Sequence, residues 1–180
     1  PVTVVVSAKG WVRTRTGHGH EATSFAFKAG DALYGTFECR SVDTLLVFGS
    51  NGRVYSVAVL LLPGGRGDGQ PVTTLLELES GTQLLYYFAG PAAATLLLSS
   101  TAGYGFLATV ENMVSRQKAG KAFVSVNDGE TLCCPSLVSG AQGKVAVAGT
   151  PATVVPTATH VACASTGGRI LTFEIGELQA

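Results

Sequence analysis

Charge is scarce in this sequence: only 13% of its 180 residues are Asp, Glu, Lys or Arg, about half the share of an ordinary globular domain. Hydrophobic residues make up 46%, and this combination excludes a disordered chain, which needs high charge and little apolar surface. No run of 18 or more apolar residues occurs, so no membrane-spanning helix is predicted. The N-terminal stretch also lacks the basic and long apolar regions of a signal peptide.

Metal-binding and catalytic motifs are missing as well. None of the four cysteines belongs to a C-x-x-C pair, so no zinc site is indicated. His18 and His20 have the spacing of a ligand pair on a strand, but without a third ligand a solvated turn is the better interpretation. No Ser/His/Asp set or carboxylate pair suggests catalysis. We interpret the four cysteines as reduced residues that fill small apolar positions in a cytoplasmic protein. They are Cys39, Cys133, Cys134 and Cys163.

Three other short motifs have ordinary explanations. The tripeptide at 66–68 reads Arg-Gly-Asp, which we treat as a coincidence in a cytoplasmic chain. The Gly-Tyr-Gly at 103–105 lacks the spacing and the following helix of a phosphate-binding loop. Trp11, Tyr104 and Phe106 could stack on bases, but packing in the core or at the rim is favoured for aromatic residues in strands.

An internal repeat is present. Four segments join an apolar run to a turn that ends in glycine: VTVVVSAKG, TLLVFGSNG, TLLLSSTAG and HVACASTGG. Apolar runs rich in β-branched residues and closed by Ser, Asn and Gly are typical of a strand followed by a tight turn. These turns end at Gly10, Gly52, Gly103 and Gly168. A second turn glycine, followed by another apolar stretch, recurs at Gly30, Gly81 and Gly129.

The repeat length predicts an all-β, propeller-like fold. The four turn glycines are 42, 51 and 65 residues apart, and the first two spacings fit four-stranded blades of ~40–50 residues. The excess of the third falls in residues 139–159, which we interpret as an inter-blade loop. Residues 1–180 would form one domain of about four blades, the last one truncated. Helical periodicity is weak, with a single turn at most near 110–116. The start at Pro1 and the single methionine suggest a fragment of a longer polypeptide.

Basic residues are unevenly placed along the repeat. Twelve basic and twelve acidic residues balance, which by itself argues against nucleic-acid binding. Most basic residues, however, follow a turn glycine closely, so stacked repeats would collect them on one side. Arg13 and Arg15 also share one strand face. The candidate DNA contacts are Lys9, Arg13, Arg15, Arg53, Arg66, Arg116, Lys118, Lys121 and Arg169.

Two glycine-containing basic loops occupy matching places in successive units. GGRGDGQ (64–70) and SRQKAGK (115–121) have their first arginines 14 and 13 residues after the turn glycine. Glycine lets backbone amides approach a phosphate closely, and Arg or Lys supplies the charge. The alternative that these are solvated turns with ordinary charges stays open.

Five stretches resemble the C-terminal domain of bacterial type IIA topoisomerase A subunits, and among them the topoisomerase IV branch. They are VSAKGWVRTRTGHG (6–19), FKAGDAL (27–33), SNGRVYSV (50–57), RGDGQP (66–71) and AGYGFLATVENMVSRQKAGKA (102–122). The resemblance implies a β-pinwheel, a propeller-like disc whose blades exchange strands. It also implies that the domain binds duplex DNA along a basic outer rim, bends it, and presents it to a catalytic core for decatenation and relaxation.

The resemblance further implies a division of labour. No catalytic residue, metal or cofactor is expected in this fragment, whereas ATP and Mg²⁺ are expected to serve the holoenzyme. The implied partners are duplex DNA, the B subunit that carries the ATPase, and the rest of a homodimeric A subunit. The implied location is the bacterial cytoplasm at the nucleoid, with peripheral membrane association left open.

The sequence departs from the gyrase branch of this family. Gyrase A subunits carry a Q-R-R-G-G-K-G box, of which RGDGQ and RQKAGK are only degenerate counterparts, and Asp68 adds an acid. The resemblance therefore favours topoisomerase IV and weaker DNA wrapping. Two other classes stay open: a protein-interaction propeller of the WD-repeat kind, and a propeller hydrolase or lectin. The latter needs a polar constellation in a central channel, which the sequence does not offer.

Overall fold

The computed structural model describes residues 1–65, 67–140, 145–147 and 157–178. Short strands dominate these residues, and the one α-helix, α1 (Val110–Met113), is a single turn. The 3₁₀ turns are Ala22–Ser24, Val59–Leu61, Val72–Leu75 and Ile175–Glu177. The strands are β1 (Val2–Ser7), β2 (Trp11–Thr16), β3 (Leu33–Cys39), β4 (Thr44–Gly49), β5 (Arg53–Ala58), β6 (Gln70–Pro71), β7 (Leu84–Gly90), β8 (Thr95–Ser99), β9 (Gly105–Thr109), β10 (Lys121–Ala122), β11 (Ser136–Ser139), β12 (Val145–Val147), β13 (His160–Ala164) and β14 (Ile170–Glu174).

These strands form four antiparallel sheets, one for each repeat unit. Their strand orders are β12-β3-β1-β2-β6, β7-β4-β5-β10, β11-β8-β9 and β13-β14. The all-β, blade-like architecture predicted from the repeat is therefore confirmed. The fourth sheet contains two strands within the described residues.

Each of the four repeat turns closes a β-hairpin. The amides of Gly10, Gly52, Gly103 and Gly168 donate to the carbonyl three residues earlier, at 2.9–3.0 Å. All four glycines have φ between +76° and +88°, a region that costs other L-residues about 1–2 kcal/mol. The strand-then-turn interpretation of the repeat is confirmed, and the backbone conformation explains why glycine ends each turn.

Neighbouring sheets exchange short strands. The two-residue strand β6, which belongs to the second unit, pairs with β2 of the first through Trp11↔Pro71 and Val12↔Gln70. In the same way β10 of the third unit pairs with β5 of the second through Lys121↔Val54 and Ala122↔Arg53. This interlocking of successive units is the pinwheel arrangement that the family resemblance implies.

The core lies between the sheets, where β3 packs against β7. The rings of Phe37 and Phe88 meet edge to face at 5.9 Å, and those of Tyr34 and Tyr87 at 5.0 Å. The middle strands β1 and β4 are buried on both faces, which explains their continuous apolar runs. Fully buried large side chains include Tyr55, Phe37, Phe48, Leu45, Leu46, Leu96, Leu98 and Met113.

The segment interpreted as an inter-blade loop contains regular structure. Its residues Val145–Val147 form β12, which pairs antiparallel with β3 through Val145↔Phe37 and Val147↔Gly35. Strand β11 also ends inside the segment, at Ser139. Residues 141–144 and 148–156 of the predicted loop lie outside the described residues.

The four cysteines are free thiols in different surroundings. Cys39 is buried in the core, whereas Cys134 and Cys163 are exposed, so the interpretation as packed apolar residues was wrong for these two. Burial, assisted by the nearby carboxylate of Asp43, raises the pKa of Cys39 to about 12. This thiol is therefore kept in its protonated, unreactive form.

Thiol labelling checks this difference. With a maleimide at pH 7.5, Cys163 is expected to react about 100-fold or more faster than Cys39, because the thiolate is the nucleophile and Cys39 is both protonated and covered. Rates are measured by mass spectrometry of the labelled peptides. In 8 M urea the two rates should converge, and similar rates in the native state would contradict the burial of Cys39.

Candidate nucleic-acid interface

The two glycine-containing basic loops lie at equivalent sheet edges. Loop 63–69 precedes β6 and loop 115–120 precedes β10, so each ends where the exchanged strand begins. Strands β6 and β10 are edge strands, and two further strands separate each of them from β3 or β7 in its sheet. Strands β3 and β7 pack against each other in the inter-sheet core. The loops therefore lie on the side of each sheet that faces away from this core.

A glycine at the end of each loop allows the loop backbone to pass close to the preceding sheet. Gly69 and Gly120 both lie 17 residues after their turn glycine and have φ of +88° and +65°. A Cβ on Gly69 would come within 2.2 Å of the Val12 carbonyl oxygen, and one on Gly120 within 2.6 Å of that of Val54. Only glycine fits here, since the loop backbone passes directly over the preceding sheet.

Loop 115–120 is fastened at both ends to β5. The Ser56 hydroxyl donates to the Ser115 carbonyl at 2.7 Å and accepts from the Ser115 amide at 2.8 Å. The Arg53 guanidinium donates to the carbonyls of Ala119 at 2.9 Å and Gly120 at 3.0 Å. These four hydrogen bonds fix both ends of the loop against β5, and the Glu77 amide holds its middle by donating to the Lys118 carbonyl at 3.0 Å.

Two cations project from the loop between these fastenings. Arg116 and Lys118 are exposed, and neither side chain has a hydrogen-bond or ion-pair partner within the part of the chain that the structure describes. Unpaired cations on a fixed backbone can meet phosphate oxygens without first breaking internal contacts. This pair is the strongest candidate contact for a polyanion.

Loop 63–69 is held in a similar way but carries an acid. The Thr14 amide donates to the Pro63 carbonyl at 2.8 Å, and the Arg13 guanidinium donates to the Gly67 carbonyl at 2.6 Å. Asp68 is exposed on this loop. Arg66, predicted as a DNA contact, lies outside the described residues.

Arg13 is placed differently from what its strand position suggested. Its side chain is buried, donates also to the Ala26 carbonyl at 2.7 Å, and lies over the rings of Phe25 and Phe27 at 5.9 and 5.3 Å. Burial lowers the pKa of Arg13, Asp68 opposes this shift, and Arg15 adds to it. Tertiary contacts therefore cover Arg13, although Arg15 two residues later stays partly exposed.

Of the other predicted contacts, some side chains bind groups of this chain and others are exposed to solvent. The Lys121 ammonium donates to the Asn112 carbonyl and lies 5.4 Å from the Phe123 ring centroid. Lys9 and Arg169 are exposed in the first and fourth repeat turns. Of the nine predicted contacts, Arg13, Arg53 and Lys121 bind backbone carbonyls of this chain, and five have no such partner among the described residues: Lys9, Arg15, Arg116, Lys118 and Arg169.

The two histidines of the first unit are bonded to the backbone. His18 Nε2 lies 2.9 Å from the Cys39 carbonyl oxygen and His20 Nε2 lies 3.0 Å from that of Thr16. Among the described residues no group of three or more His, Cys, Asp or Glu could hold a metal ion. Nor does any described helix have the length and apolarity to cross a bilayer.

Sequence reasoning missed the hydroxyl residues that fasten the loops. Thr14 and Ser56 each lie four residues after a turn glycine and each bind the first residue of the following loop. Their signal was the same 42-residue spacing that separates Gly10 from Gly52. The recurrence was visible in the sequence. The partners of the two hydroxyls, however, lie 49 and 59 residues away, and no neighbouring residue indicates them.

Several curated relatives of this sequence are A subunits of DNA topoisomerase 4. The chain is 36% identical over 184 residues to the A subunit of DNA topoisomerase 4 from Neisseria gonorrhoeae, covering 99% of this chain and 22% of that protein. It is 34% identical over 141 residues to the Escherichia coli K12 protein of the same name, covering 78% and 19%. The chain thus spans about a fifth of the length of these relatives. No family model matches it.

Solved structures agree with the sequence relatives. The Escherichia coli ParC C-terminal domain superposes with a TM-score of 0.81 at 29% identity, covering 99% of this chain and 67% of that one. A DNA gyrase A C-terminal domain superposes with a TM-score of 0.55 at 16% identity and so shares the fold. The resemblance noted from the sequence is confirmed. By sequence and architecture together, the chain belongs to the family of C-terminal domains of topoisomerase IV A subunits, which have the β-pinwheel fold.

Proposed function

We propose that this chain binds duplex DNA through its exposed basic side chains, bends it, and presents it to the catalytic core of topoisomerase IV for ATP-dependent strand passage. The observation that carries the proposal is loop 115–120, which holds the exposed, unpaired Arg116 and Lys118 on a fastened backbone. Contacts of this kind go to phosphates and do not read sequence. Binding should therefore be largely independent of DNA sequence.

Several of the predicted cations already bind groups of the chain itself, which supports modest rather than strong wrapping of DNA. Three of the predicted contacts, Arg13, Arg53 and Lys121, bind carbonyls of the chain itself. Asp68 adds an exposed negative charge on loop 63–69. Few phosphates can then be neutralised along the path, which fits relaxation and decatenation better than the introduction of supercoils.

The proposal includes the partners that the resemblance implies. The rest of a homodimeric A subunit would hold the domain beside the DNA gate, and the B subunit would supply the ATPase. ATP and Mg²⁺ would serve those parts, and this chain would hold neither. The protein would act in the bacterial cytoplasm at the nucleoid, and peripheral membrane association is not part of the proposal.

The salt dependence of binding tests the proposal. Fluorescence anisotropy of a labelled 40-bp duplex is measured from 50 to 300 mM KCl, and log affinity should fall against log salt with a slope of about −4.5. This value assumes about 0.9 per phosphate for the five cations that have no carbonyl partner among the described residues. Two unrelated sequences should bind within about threefold of each other. A protein-interaction propeller would show no such affinity, and absence of binding at 50 mM would contradict the proposal.

A further inference from the structure

We propose that Arg53 is a positioning residue: it holds loop 115–120 in the conformation that presents Arg116 and Lys118, and does not itself contact DNA. The inference rests on the proposed function, which it deepens. Sequence placement alone put Arg53 among the DNA contacts, because it directly follows the second turn glycine. Its contacts in the structure point inward instead.

The charge of Arg53 is already used by the chain. Its Nε and Nη2 donate to the consecutive carbonyls of Ala119 and Gly120, and Nη1 lies 3.8 Å from Glu79 Oε1. The side chain is 24% exposed. A planar guanidinium suits this task, because its fork can meet two neighbouring acceptors at once. A phosphate contact by Arg53 would have to compete with these bonds.

The position of the bonds explains why they matter to the loop. Ser56 holds the loop where it starts and Arg53 holds it where it ends. The strand that follows, β10, is only two residues long, so its ladder provides little further restraint. The C-terminal half of the loop, which carries Lys118, is also held by the Glu77 amide, which donates to the Lys118 carbonyl at 3.0 Å. Loss of the two Arg53 bonds would therefore loosen this half of the loop without releasing it.

The first unit reaches the same arrangement from another strand position. Arg13, three residues after Gly10, donates to the Gly67 carbonyl of loop 63–69, whereas Arg53 is one residue after Gly52. Each loop is therefore fastened by an arginine of the preceding unit, although the two arginines do not occupy the same position in the repeat. The true repeat equivalent of Arg53 is Arg169, which is exposed and has no side-chain partner among the described residues. This contrast supplies a matched control.

The first test needs no DNA. In the intact protein that carries this chain, tryptic cleavage after Arg116 and Lys118 is quantified by mass spectrometry. Arg53→Gln is expected to speed this cleavage about tenfold, because two charge-assisted hydrogen bonds to the loop are lost. Arg53→Lys keeps the charge but not the fork, and should remain several-fold faster than wild type. Arg169→Gln removes the same charge at the same repeat position and should leave the cleavage rate unchanged.

The second test is a double-mutant cycle on DNA affinity. Arg53→Gln should weaken binding by no more than Arg116→Ala/Lys118→Ala does, and the triple variant should lose less than about threefold beyond that pair. Arg53→Lys should not restore full affinity. If Arg53 contacts a phosphate, the losses multiply and the salt slope of the triple variant falls by about 0.9 more than that of the pair. That outcome, or full rescue by lysine, overturns the inference.

The two proposals can fail separately. If Arg116→Ala/Lys118→Ala leaves DNA affinity unchanged, the loop is not a DNA contact, and the cleavage rates alone then decide whether Arg53 positions it. If Arg53→Gln lowers the melting temperature but leaves cleavage of the loop at the wild-type rate at 25 °C, Arg53 serves overall stability and the positioning role is wrong.

Discussion

Replacing Arg116 and Lys118 together by alanine is expected to lower affinity for duplex DNA about 60-fold at 0.1 M salt. Each phosphate contact contributes about 0.9 to the salt slope, so two lost contacts reduce it by about 1.8, which at 0.1 M is a factor of about 60. Both side chains are exposed and unpaired on a fastened loop. Neither is needed for packing, so the effect should appear without loss of stability. Anisotropy titrations at several salt concentrations measure both affinity and slope.

A charge-matched control separates local contacts from net charge. Arg40 is not among the predicted contacts, and its guanidinium already pairs with Asp43 at 3.0 Å. Arg40→Gln removes one positive charge, as Arg116→Ala does, and should leave the slope unchanged. Equal slope changes for Arg40→Gln and Arg116→Ala would mean that binding follows overall charge, and would remove loop 115–120 from the DNA path.

Gly52→Ala is expected to destabilise the fold by about 4 kcal/mol. A positive φ of +78° costs an alanine about 1–2 kcal/mol, and its Cβ would lie 1.9 Å from the Val124 carbonyl oxygen. Overpacking of this kind adds typically ~1–3 kcal/mol. The Gly52 carbonyl also accepts from the amides of Phe123 and Val124 at 3.2 and 3.0 Å, so the strain falls on the junction between units. Thermal denaturation should show a melting temperature lower by about 8 °C or more.

Gly103→Ala is the matched control for this steric effect. Gly103 closes the next repeat turn with φ of +88°, but a Cβ there would meet nothing within 4 Å. Only the backbone cost of about 1–2 kcal/mol should remain. The difference between the two variants isolates the clash with the following unit. Equal destabilisation would show that Gly52 matters only for its turn conformation.

The strand-and-turn pattern of the fold could be predicted because its causes are local. An apolar run before Gly10 or Gly103 sets the strand, and a positive φ at the turn requires glycine whatever lies elsewhere in the chain. The helical turn at Val110–Met113 could also be predicted from its local sequence. The strand within residues 145–147 was missed, because its partner β3 lies about 110 residues earlier in the sequence and three residues carry no periodic signal.

The candidate site could be predicted only in part. The recurrence of GGRGDGQ and SRQKAGK indicated the loops correctly, since equivalent glycines end both of them. Which cations are available was not predictable. Arg13 and Arg116 were both predicted as DNA contacts, yet Arg13 is buried against two phenylalanine rings and Arg116 is exposed.

The amino-acid pattern is enough to predict that this protein repeats a glycine-closed β-hairpin, and that basic loops follow the hairpins of its second and third units. Which arginines bind groups of the chain and which are available to a partner depends on the tertiary structure. The reason is the range of the contacts: Arg13 binds a carbonyl 54 residues away and Arg53 one 67 residues away. Burial and hydrogen bonding across that distance depend on how the units interlock, and no local pattern records it.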